Sequence, residues 1–170
     1  MKDLSAQKIN ESSPYKVVHT AKLVMRFITD KALVYEAGFI DDYTFMEGGC
    51  FQFYLKEISG SSASRDPKIM QTVGAIIEEF FDKNQSVVLY ICDNSDGRQA
   101  VRDRIFKGWF DTYKNKDNFT FLHGEANFDD TSYFTSVIIR NDNPDLQDVI
   151  DAFNEFKRFI LGKYPDVVIR

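Results

Sequence analysis

The chain has 170 residues, the size of one domain, and its 44% apolar and 15% aromatic content can bury a sizeable core, which excludes intrinsic disorder over most of its length. Twenty-one Lys and Arg against twenty-six Asp and Glu leave a net charge of −5, which opposes a general electrostatic grip on nucleic acid or an anionic membrane. No run of about 18 apolar residues occurs, and Met1 to Ser13 lacks the apolar stretch of a signal peptide, so the expectation is a soluble, cytoplasmic protein.

Residues 1–14 are polar with little periodicity and are expected as a flexible leader, with a single α+β domain over 15–170. Leu23, Met25 and Phe27 then alternate with Lys22, Val24 and Arg26, which predicts a first strand over His19–Thr29. After the polar break Asp30-Lys31, the alternation of Leu33, Tyr35, Ala37 and Phe39 reads as the return arm of a hairpin. Gly48-Gly49 marks a further turn, and Phe51, Phe53 and Leu55 give the third strand of an antiparallel meander. Ser59–Asp66 reads as a linker. It ends in Asp66-Pro67, an N-cap residue followed by a first-turn proline, and Ile69, Val73, Ile76, Ile77 and Phe80 recur at helical steps up to a stop at Asn84.

Ser86–Cys92 is a short apolar run that predicts a central strand covered on both faces. Turn and cap residues at Asp93–Gly97 introduce a second helix, on which Val101, Ile105, Trp109 and Tyr113 line one face with Phe106 and Phe110 beside it. Phe119–Leu122 is expected as a short fifth strand and Tyr133–Arg140 as a sixth, paired antiparallel across an acidic loop, Gly124–Ser132. Asn143-Pro144 opens a third helix through Leu146, Val149, Ile150, Phe153, Phe156 and Ile160, closed by Gly162, and the tail Val167–Arg170 is either an edge strand or loose. The order predicts one mixed sheet with helices mainly on one face.

Functional residue types are densest where the central strand meets the second helix. Arg98 and Arg102, four apart, share a helix face, and Asp93 and Asp96 stand at the helix N-terminus, where the helix dipole favours carboxylates. One reading is structural: Asp93 or Ser95 caps the helix and the arginines pair with nearby carboxylates. The other is a ligand site in which Arg98 and Arg102 bind an anion or nucleotide while Asp93 and Asp96 hold a metal or act as a base.

Tyr90-Ile91-Cys92-Asp93, then Asp96, Arg98-Gln99, Arg102, Phe106 and Trp109-Phe110, resembles the signature segment of a family found mostly in Bacteroides-type bacteria and known only as a domain of unknown function. The resemblance spans about Tyr15 to Gly162. It implies no activity, ligand or catalytic role for these positions, but it gives the segment more weight than a chance string of polar residues. The element order is also similar to ribonuclease H-like folds, which need a carboxylate in the first strand to bind two magnesium ions. His19–Thr29 contains none, so any such similarity is one of fold alone.

Other constellations are weaker. His123, Glu125, Asp129 and Asp130 could ligate a divalent cation, against the plainer reading of a solvated loop. Cys50 and Cys92 lack the pairing of a zinc site and read as buried free thiols, and no cofactor is implied. Val24, Val34, Ile40, Tyr54 and Ile58 fall on the second face of the meander, and such an apolar patch marks a homodimer contact or protein partner unless the chain ends cover it. The leading reading is therefore a non-catalytic, protein-binding or self-associating domain; the competing one is an anion- or nucleotide-handling enzyme or sensor at Asp93, Asp96, Arg98 and Arg102.

Overall fold

The computed structural model describes residues 1–60, 66–92, 94–128 and 131–163; for 127, 128 and 159–163 it describes the backbone alone. The elements are α1 (Ala6–Ile9), β1 (Val17–Ala21), β2 (Val24–Ile28), β3 (Val34–Asp42), β4 (Cys50–Glu57), α2 (Pro67–Lys83), β5 (Val88–Ile91), α3 (Gln99–Thr112), β6 (Phe119–Phe128), β7 (Thr131–Arg140) and α4 (Leu146–Lys163). This is the expected α+β class, with a mixed seven-stranded sheet in the order β1-β2-β3-β4-β5-β7-β6 and the meander at its start. The expected tail strand Val167–Arg170 and most of the Ser59–Asp66 linker lie outside the described residues.

The chain forms two compact units. The first comprises residues 1–40 and 53–85. Here the predicted strand His19–Thr29 is in fact two strands, β1 and β2, joined at Leu23. Leu23 adopts φ +58° with its side chain buried, so the two-residue period of Leu23, Met25 and Phe27 runs through the reversal without a break and conceals it. The Leu23 N–H donates to Asp3 Oδ1 at 3.0 Å, which fixes the turn from outside it.

That contact corrects the expected leader. Leu4 and Ile9 are buried, Asn84 exchanges two hydrogen bonds with the Lys2 backbone at 3.0 and 3.2 Å, and the Ser5 N–H donates to the buried carboxylate of Glu79. Two apolar residues among many polar ones are too few to give a period, yet they suffice to seat α1 beside α2. Asp66 caps α2 by accepting the Lys68 N–H at 2.9 Å, and Pro67 follows at the first helical position, as its sequence signature implies. The inner face of the meander carries Met25, Phe27, Ala37, Phe39 and Phe53, and α2 closes it, with Phe80 stacked on Phe39 at 4.0 Å. At Gly38 any Cβ would lie 2.6 Å from the Tyr54 ring, and that ring crosses the strand there to donate from its hydroxyl to Glu36.

The second unit comprises residues 41–52 and 86–170. β5 pairs parallel to the start of β4 (Phe51 with Val88) and antiparallel to β7 (Leu89 with Val137). Successive residues of β5 serve opposite faces. Leu89 joins Val137, Ile139, Val149 and Phe153 in one core under α4, whereas Tyr90 meets Phe106 of α3 at 4.0 Å, so the two helices cover opposite faces and β5 is central as expected. The fifth strand is longer than predicted: β6 runs ten residues and pairs with β7 from Phe119–Arg140 to Phe128–Thr131, so His123, Gly124 and Glu125 lie in a strand and not in a loop. Polar residues facing a covered surface look like loop residues in sequence.

Candidate functional site

At the strand-to-helix corner the structure brings Asp96 and Arg102 together. Asp96 Oδ1 and Oδ2 accept from Arg102 Nη1 and Nη2, both at 2.7 Å, and Oδ1 also accepts the Arg98 N–H at 3.1 Å. The guanidinium, followed by the Arg98 amide, holds the Asp96 carboxyl down at about 2. Gly97 supplies the positive φ of +70° that lets the chain turn between these groups. Arg98 is the N-cap residue, but its side chain makes no capping bond; it is exposed and forms no ion pair among the described residues. Asp93 lies outside the described residues. Of the four predicted positions, two are therefore joined in a bidentate pair, a third contributes its backbone amide, and the arrangement fastens the first turn of α3.

A second cluster joins α3, β6 and β7, and of its members only His123 is a candidate by sequence. Asp103, Phe106 and Phe110 follow at three- and four-residue steps on the covered face of α3, where Phe106 stacks on Tyr90 and Phe110 on Phe121 at 4.6 Å. This corrects the predicted helix face: Val101 and Ile105 are each 46% exposed. In β6 the register sets His123 opposite Ser136. His123 Nδ1 stands 3.2 Å from Ser136 Oγ and 3.5 Å from Asp103 Oδ1. Burial raises the Asp103 carboxyl, with Glu125 adding to it and His123 and Lys107 opposing; burial also lowers the His123 ring, against the pull of Asp103, so the imidazole is neutral at neutral pH.

Asp, His and Ser in contact suggest nucleophilic catalysis, but their geometry does not support it. A hydroxyl nucleophile and its orienting carboxylate must occupy opposite ring nitrogens, whereas here both meet Nδ1. Ser136 is also buried, beyond the reach of a substrate. The thiols are equally quiet: burial pushes Cys50 up to about 12 and Cys92 up to about 11, so neither supplies a thiolate at neutral pH. Both are buried free cysteines, and Cys92 is a core residue. Among the described residues no group of three His, Cys, Asp or Glu side chains is placed to hold a metal ion, and the suggested ligands Asp129 and Asp130 lie outside them. No described helix is long and apolar enough to cross a membrane.

Fold and site together define an α+β protein in which, among the described residues, Asp96 and Arg102 are paired and Asp103, Ser136, Cys50 and Cys92 are buried. Residues 65–155, more than half of the chain, match the Family of unknown function (DUF6169), and the chain belongs to that family. The match contains the whole segment from Tyr90 to Phe110. No curated protein and no solved structure matches the chain.

Proposed function

We propose that this protein is a non-catalytic domain of the bacterial cytoplasm that acts by binding protein, in the first place another copy of itself. The observation that carries the reading is where large apolar side chains stand. On the outer face of the meander Ile28 is 60% exposed and Ile40 55% exposed, with Val18 and Ile58 also open, and on α3 Val101 and Ile105 are open as well. Several large apolar side chains open to water on one sheet face and on one helix are what a partner surface would cover, and such surface supports an interaction site. The outer face also carries opposite charges side by side, Arg26 bonded to Glu36 at 2.8 Å, which a second copy can mirror.

The anion- or nucleotide-site reading must release Arg102 from Asp96 before the guanidinium can meet a ligand, which leaves Arg98, among the described residues of the corner, as its ready cation. A thermal-shift panel of nucleotides, phosphorylated metabolites, oligonucleotides and divalent metals separates the two. The expected result is no ligand-induced stabilisation, with a melting temperature that rises with protein concentration. Stabilisation by one of these ligands that disappears in Arg102→Ala would instead establish the corner as a binding site.

A further inference from the structure

On α3 the apolar pattern and the packing disagree. The helix buries Asp103 and Phe106, while Val101 and Ile105 face water on another side. Steps of four, three and four residues put Val101, Ile105, Gly108 and Thr112 on a single stripe, the spacing of a helix-pairing seam. Gly108 is exposed, and a Cβ built on it would meet nothing within 4 Å. The packing around it thus makes no demand for glycine, although glycine is the poorest helix former after proline. A bare backbone next to the open Val101 and Ile105, on the same stripe, suits the close approach of a second helix.

The charges beside the stripe name that helix. Arg104 and Asp111 are seven residues apart, two turns, and so lie on the same flank; both are exposed, and neither forms an ion pair among the described residues. A two-fold axis that reverses a helix end for end keeps each flank on its own side. Resting on the self-association reading above, we propose that α3 docks antiparallel against α3 of a second copy of this chain. In that arrangement Ile105 packs over the partner's Gly108, and Arg104 meets the partner's Asp111, each contact occurring twice by symmetry. The opposite flank brings Arg102, held by Asp96, towards the partner's Trp109, the one tryptophan of the sequence.

Sedimentation equilibrium of the full chain tests this with Arg104→Asp, Asp111→Arg, the double swap and Gly108→Leu. Each single charge reversal sets like charges opposite one another and is expected to weaken the dimer by about tenfold or more, while the double swap restores it to within about threefold. Gly108→Leu is expected to weaken it at least as much, by filling the space that Ile105 enters. These positions are exposed, so melting of the dilute variants confirms folding independently. A dimer unmoved by the reversals and by Gly108→Leu, or weakened by both reversals but not rescued by the swap, overturns the α3 assignment and leaves self-association standing on another face. A wild type that stays monomeric at every concentration overturns the self-association reading, and the assignment with it.

Discussion

Arg102 donates through both terminal guanidinium nitrogens to the Asp96 carboxylate at 2.7 Å, one turn of α3 reaching back to the loop that precedes it. Because the carboxyl is held at about 2 in the folded chain, against an ordinary 3.8, it binds fewer protons when folded than when unfolded. Its contribution to stability is therefore complete above about pH 4 and is lost as the pH falls through about 2. Asp96→Asn is expected to flatten the acid limb of the stability profile in that window, with a small effect at pH 7, as befits an exposed pair. Urea melts at successive pH values read this directly; an unchanged acid limb would show that the pair does not hold the corner in solution.

Neighbouring residues of α3 are expected to behave oppositely. Phe106→Ala removes a buried ring stacked on Tyr90 at 4.0 Å and should cost about 3–5 kcal/mol. Ile105→Ala, one position along, should change the stability of the dissociated chain by about 0.5 kcal/mol or less. Chemical denaturation at low protein concentration measures both, and equal costs would mean that the buried face has been misplaced.

Asp103 carries a burial penalty in its charged form. Its raised carboxyl binds more protons folded than unfolded, so the penalty is absent at low pH and grows as the pH rises through the folded value. Asp103→Asn removes it and keeps hydrogen-bonding capacity beside His123. The variant is expected to melt higher than wild type at pH 8, with the gain shrinking as the pH falls. A loss of stability at pH 8 would instead show that the charge on Asp103 is needed by its neighbours.

The opening residues supply a further check. Ile9 is almost wholly buried, and Ile9→Ala should destabilise the chain by about 2–5 kcal/mol, which a mobile leader could not do. Calorimetry of the single variant decides it; an unaltered melt would return these residues to the role of a leader.

The legible and illegible parts of the fold divide on physical grounds. Asp66-Pro67 and Asn84 bound α2 within a residue because cap and proline chemistry is local. The meander was legible from alternation alone, except at Leu23, where a buried residue in a left-handed turn preserved the period across the reversal. α1 is illegible in sequence because a four-residue helix leaves no pattern, and the anchors of the opening residues, Asn84 and Glu79, lie 74 to 82 residues away. On α3 the more regular apolar stripe is open at Val101 and Ile105 and half-buried at Trp109 and Tyr113, since Asp103 shares the buried face and a polar residue masks it. The corner residues were legible as a group, but their bidentate pairing was one of two arrangements the spacing allowed. The meeting of Asp103, His123 and Ser136 depends on the β6–β7 register, which a loop over Gly124–Ser132 cannot convey.

Self-association of the chain through apolar surface is read by size-exclusion chromatography with light scattering over a hundredfold range of concentration. A mass rising from that of one chain, 19.7 kDa, to twice that value is the predicted result. A mass fixed at one chain throughout would contradict it.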